Sequence, residues 1–187
     1  ATWRKDDKVW IEIPEAMWER PFFFSVNVTH NIGDAGLFGN QMGGFLAAGR
    51  GQFVASFRKF GPNGVQLIAR NIAHTAAKDA PIRHAVERSF SDSLIGSVSV
   101  ASAPHPERKS VLIEANALFI NDFPMAAQQL EQTFRQSYSF DDKNSSIEKV
   151  RNSETETGFN IRAHYGLGRV AYPSGAGGPW KPTGQDF

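Results

Sequence analysis

Gln52-Phe53-Val54-Ala55-Ser56-Phe57-Arg58-Lys59-Phe60-Gly61-Pro62-Asn63-Gly64-Val65-Gln66-Leu67-Ile68-Ala69-Arg70 decides the fold class. Over Gln52–Lys59, Phe53, Ala55 and Phe57 alternate with Val54, Ser56 and Arg58. Over Val65–Arg70, Val65, Leu67 and Ala69 alternate with Gln66, Ile68 and Arg70. A period of two puts successive side chains on opposite faces, which is the signature of a strand. Gly61-Pro62-Asn63-Gly64 separates the runs. Proline presets φ for a turn, and Asn-Gly tolerates positive φ. Two alternating runs around such a turn predict an antiparallel hairpin.

The same reading extends outward. Lys8–Ile13 alternates Val9, Ile11 and Ile13 with Lys8, Trp10 and Glu12, and Pro14 should end it. Phe22–Thr29 places Phe22, Phe24, Val26 and Val28 on one face. Leu94–Ala101 and Ser110–Ala115 read as strands of a second hairpin, joined through the turn Ala103-Pro104-His105-Pro106. Ser146–Ser153 reads as a strand after a polar loop at Asp141–Ser146, and Phe159–Tyr165 alternates again. Ile82, Val86 and Phe90 recur at helical spacing. Asn116–Tyr138 predicts the best helix, with Asp122 as its cap, Pro124 in the first turn, and Ala126, Leu130 and Phe134 on one face. About eight strands and one or two helices predict a mainly β or α+β chain of antiparallel sheets, sandwich-like in arrangement.

Residues 1–170 are expected to form a single β-rich domain, and the Pro/Gly-rich residues 171–187 a linker or tail. A glycine-rich loop spans 31–51, with a short helical or extended piece expected at Phe45–Ala48. Long loops in compact domains are usually functional or mobile.

Composition excludes several functions. With 187 residues, 41% apolar and 21% charged, the chain can bury a core. Twenty Lys+Arg against nineteen Asp+Glu leave a net charge of +1, too little for a broad nucleic-acid surface. No cysteine means no disulfide, thiolate metal site or cysteine nucleophile. No apolar run is long enough to span a membrane, and the polar Ala1–Lys8 is not a signal peptide.

Catalytic motifs are missing from the sequence. His30, His74, His84, His105 and His164 form no H-E-x-x-H and no i, i+4 pair. There is no G-x-S-x-G, no G-x-G-x-x-G and no Walker lysine pattern. Arg83, His84 and Arg88 could bind an anion, although such a run more often marks a solvated helix face. Trp3, Trp10, Trp18 and Trp180 could supply an aromatic platform for a glycan or peptide; the plainer reading is that Trp10 covers a second sheet face.

Several segments taken in order carry a resemblance. These are Asp7-Lys8-Val9-Trp10-Ile11-Glu12-Ile13-Pro14, Pro21–Thr29 followed by Gly33-Asp34-Ala35-Gly36-Leu37-Phe38-Gly39, Val86–Phe90, Ser110–Ala115 with Leu118–Asp122, and Asp142–Val150. Across roughly residues 5–167 the chain resembles an uncharacterised domain found upstream of the catalytic domain in large bacterial zinc-dependent metallopeptidases. The resemblance implies a non-catalytic accessory domain with no cofactor of its own. Zinc belongs to the catalytic domain of the parent protein, a hydrolase. The implied partner is that catalytic domain, in cis or after processing, and beyond it a peptide or protein substrate. The implied location is the bacterial cell envelope, periplasmic or secreted. No catalytic or metal residue carries over, because the zinc motif has no matching position.

The interaction residues put forward are Asp34, His30, Arg83, Arg88 and Trp10. Asp34 at the start of the glycine-rich loop could occupy an open zinc position in a latent state, or serve only as a turn residue. The alternative function is a stand-alone β-sheet module that binds peptide or glycan through exposed aromatics or an open sheet edge.

Overall fold

The computed structural model describes residues 1–33, 37–42, 52–167 and 184–186; of 41–42 and 184–186 it describes the backbone alone. The element order is β1 (Thr2–Lys5), β2 (Lys8–Ile13), a 3-10 turn (Glu15–Met17), β3 (Phe22–Ser25), β4 (Asn27–Val28), β5 (Gln41–Met42), β6 (Gln52–Phe60) and β7 (Gly64–Ala69). Then follow α1 (Arg83–Ser89), β8 (Ser93–Ser99), β9 (Val111–Glu114), α2 (Ala115–Phe119), α3 (Ala126–Phe134), β10 (Tyr138–Asn152), β11 (Thr157–Leu167) and β12 (Gly184–Asp186). The protein is strand-rich with antiparallel sheets, as the alternating runs predict.

The chain divides into two compact units, each built from two separate stretches: Ala1–Phe24 with Gln52–Leu118, and Ser25–Gly51 with Phe119–Phe187. The first unit holds a three-stranded sheet, β1-β2-β9, and a four-stranded sheet, β3-β6-β7-β8. The predicted hairpin is β6–β7, in register from Ala55↔Ala69 to Phe60↔Gly64. The left-handed backbone in its turn falls on Gly61, at φ +58°, where a side chain would be strained. Phe53, Ala55, Phe57, Val65 and Leu67 share one face of this sheet. Phe22 packs against Phe57 and Phe24 stacks on Phe53, with ring centroids 5.2 and 4.8 Å apart. The inner face of the smaller sheet buries Val9, Ile13, Val111 and Ile113.

Three expectations change in this unit. Thr2–Lys5, polar and assigned no element from its sequence, is a strand paired with β2. The stretch Phe22–Thr29 is not one strand: it breaks at Val26, and β3 and β4 join different sheets. The expected second hairpin pairs only next to its turn, through the Val100↔Ile113 bridge and the Ala101 N–H to Leu112 carbonyl bond. β8 instead pairs with β7, and β9 with β2. β8 thereby pairs at six positions with β7 and β9 at four with β2, where the two together make a single bridge.

The second unit centres on the β10–β11 hairpin, with α3 against β10 and β12 added along β11. Its core is Leu37, Ala126, Leu130, Tyr138 and Tyr165, joined by the half-buried Ile32, Phe134 and Phe140. The single helix expected over Asn116–Tyr138 is two, α2 and α3. The cap position of α3 is Met125, not the expected Asp122, and Pro124 precedes the helix; the Asp122 carboxylate, three residues further back, still accepts the N–H groups of Ala126 and Ala127 at 2.8 and 3.1 Å. The polar stretch Asp141–Ser146 is no loop but lies inside β10, as a register shift against β11. Within the glycine-rich segment, β5 pairs with β4, and Gly39 is packed so closely that a Cβ there would sit 2.6 Å from the Thr29 carbonyl oxygen. Phe45–Ala48 lies outside the described residues, as does the 171–187 segment apart from the backbone of 184–186.

Candidate functional site

Two surfaces of the first unit carry the chemistry. The first is the polar face of the four-stranded sheet. Alternation puts Ser56, Arg58, Ile68 and Arg70 on the face opposite Phe57 and Leu67. Glu19 reaches it because its N–H donates to the Phe57 carbonyl at 2.8 Å. Its carboxylate then accepts from Arg58 Nε and Arg70 Nη1, both at 3.1 Å. Asp92 Oδ2 sits 3.3 Å from Arg58 Nη2 and 3.5 Å from Arg70 Nε, while its Oδ1 accepts the Asn71 N–H at 2.8 Å.

Two guanidinium groups and two carboxylates thus neutralise one another. Ser56 and Ile68, on the same face, are both almost fully buried. Arg70 Nη1 also donates to Ser56 Oγ at 3.3 Å. The four side chains are 28–51% exposed, so each pair contributes little energy alone; what the quartet supplies is fixed geometry. Beside it lies a shallow concavity of about 390 Å³ lined by Ala69, Arg70, Asn71, Ser89, Phe90 and Ser93 among others. Asn71 Nδ2 donates to the carbonyls of His74 and Phe90, and the His74 ring stacks on Phe90 with centroids 4.0 Å apart. The predicted residues missed this site because Glu19, Arg58, Arg70 and Asp92 are scattered along the sequence. Only the hairpin register, which places Arg58 and Arg70 on one face, was there to be read.

The second surface is the outer face of the β1-β2-β9 sheet. Register places Trp3 opposite Trp10, and Trp10 beside Glu114. Trp3 is 54% exposed and Trp10 half-buried. Lys8 pairs with Glu114 at 3.2 Å. Glu12 accepts Ser110 Oγ at 2.6 Å and Arg108 Nε at 2.9 Å. The Ser110 hydrogen bond, followed by the Arg108 guanidinium, holds the Glu12 carboxyl below its usual range against the opposing effect of burial.

The predicted residues divide as follows. Trp10 belongs to this aromatic face. Arg83 opens α1 and is taken up by Glu87, at 2.6 Å, and the Lys78 carbonyl, at 3.2 Å. Arg88 is exposed in the last turn of α1, where a cation complements the helix dipole. Five residues apart, the two arginines point about 140° away from each other. His30, in the second unit, is exposed, its Nδ1 3.2 Å from Thr29 Oγ1. Asp34 lies outside the described residues. No group of three or more His, Asp or Glu residues is placed to hold a metal among the described residues, and no helix among them is long and apolar enough to cross a membrane.

Residues 49–171 match the model of a family described as a domain of unknown function (DUF5117). No curated protein and no solved structure matches the chain.

Proposed function

The chain belongs to the DUF5117 family, whose model covers more than half of it, and on that premise we propose that it is a non-catalytic accessory domain of an exported bacterial zinc-dependent metallopeptidase. In this reading it packs against the catalytic domain and shapes or covers its cleft. The zinc and the hydrolytic chemistry belong to the partner. The resemblance of the ordered segments from Asp7 to Val150 motivates the reading.

One structural observation supports it. Phe90 lines the concavity and is 44% exposed, while Ile72 and Leu94, at 63% and 58%, each adjoin a lining residue in sequence. Ile82, at the start of α1, is 62% exposed. Exposed apolar side chains at and next to the lining of a polar, ion-paired concavity are the composition of a protein-contact surface. Covering what remains exposed of them against a partner would return on the order of 1 kcal/mol per side chain, about half the value for full burial.

The reading frame of the natural gene tests the proposal. It is expected to run past Phe187 into a segment bearing H-E-x-x-H. In that polypeptide, Ile82→Asp with Phe90→Asp should loosen the domain from its partner, seen as faster cleavage by a trace protease between the two. A frame without a zinc motif removes the metallopeptidase reading.

A further inference from the structure

We infer that the outer face of the β1-β2-β9 sheet, at the Trp3–Trp10 pair, binds a neutral glycan chain. The inference rests on this sheet alone and does not depend on a protease partner.

The inner face of the sheet already fulfils its structural task, since Val9, Ile13 and Ile113 are at most 1% exposed. The outer face carries two tryptophans beyond that core, Trp3 exposed and Trp10 half-buried. Trp3 and Trp10 are direct cross-strand partners. Side chains so paired stand roughly 5 Å apart at Cβ, side by side on one face. The more exposed of them, Trp3, presents over half of its surface to water.

Charge selects the ligand class. Lys8 is matched by Glu114, and Arg108 by Glu12. Among the described side chains Lys5 alone remains on this face as a cation without an ion pair. A nucleic acid or anionic lipid surface would draw on several unpaired cations. A face with internally matched charges, two indoles and polar rims complements a ligand that is itself uncharged. A pyranose ring has that character, with an apolar C–H face for an indole and hydroxyl groups at its edge for carboxylates and amines. Indoles suit such amphipathic partners because they join a large apolar surface to a polar tip.

The test titrates the 187-residue chain with chitohexaose and with cellohexaose, following tryptophan emission and heat. A saturable response to at least one oligomer is expected. Trp3→Thr, which keeps strand propensity but no ring, should weaken it by about tenfold or more, and Trp3→Tyr should retain most of it. Trp18→Ala should leave affinity unchanged, because Trp18 lies elsewhere in the unit under the Lys59 ammonium, 5.1 Å from its ring centroid. Far-ultraviolet circular dichroism checks that each variant is folded. Three results overturn the inference: no saturable response to either oligomer, affinity unchanged in folded Trp3→Thr, or saturable binding of a decaproline peptide with none of either sugar.

Discussion

Tyr165 shows how one residue ties an element to its neighbour. It is fully buried, and its hydroxyl donates to Asp122 Oδ1 at 2.7 Å. The same carboxylate accepts the first N–H groups of α3, so strand β11 and the helix start share one anion. Burial, then the Asp122 charge, pushes the phenol well above its ordinary value of 10.0. A group whose folded value is raised contributes stability that is complete below the unfolded value and declines as pH climbs above it. Tyr165→Phe should therefore cost roughly 1.5–3 kcal/mol near neutrality, the worth of a hydrogen bond to a charged group. It should also flatten the loss of stability above pH 10. Urea titrations of both proteins at pH 7 and pH 10.5 measure the two effects, and an unchanged midpoint at pH 7 would count against the bond. The role of Asp122 at the helix start was legible, since it stands just before a helical pattern. Its tyrosine partner was not, because 43 residues separate them and nothing local marks a buried phenol.

At the scale of the element, β10 explains why alternation is readable only where pairing is regular. Asp141 Oδ1 and Oδ2 accept from the Asn144 backbone and side chain, at 3.3 and 2.6 Å. That Asn144 side-chain bond is the main reason the Asp141 carboxyl titrates below its usual range. Ser145 Oγ donates to the Asp141 carbonyl at 2.6 Å and accepts the His164 N–H at 2.9 Å. A hydroxyl thus replaces a rung of the ladder where the register shifts. The bulge suspends the period of two, so a polar run inside a strand looks like a loop. Ser145→Ala takes this partner from a half-buried N–H and carbonyl and should cost about 1 kcal/mol. Faster amide exchange at His164 is the specific signature. The β6–β7 hairpin, regular along its length, was legible from its residues alone. The partners of β8 and β9 were not, because pairing over distance depends on which apolar faces meet, and several strands here offer equivalent ones.

At the scale of the whole molecule, the chain leaves the first unit after Phe24, returns at Gln52, and leaves again after Leu118. No composition shift marks the first of these crossings; it falls inside the run Phe22–Thr29, where Ser25 ends one strand and Asn27 begins another. Candidate site residues were harder to read for the same reason. Trp10 was legible by its position opposite the apolar face of β2, whereas the Glu19–Arg58–Arg70–Asp92 quartet exists only once distant segments are brought to one sheet. Each unit keeps its own buried residues, which makes cooperativity testable. Leu130 is fully buried in the cluster with Leu37 and Tyr165. Leu130→Ala removes contacts from that cluster and leaves a cavity, at a cost of roughly 2–5 kcal/mol. If each compact unit opens as a cooperative block, amide exchange in this variant should rise across α3, β10 and β11 while β6 and β7 keep their protection. Hydrogen-exchange mass spectrometry resolves those segments. Equal acceleration in β6 and β7 would show instead that the chain opens as a single block, and the cost of the substitution would then be borne by the whole molecule.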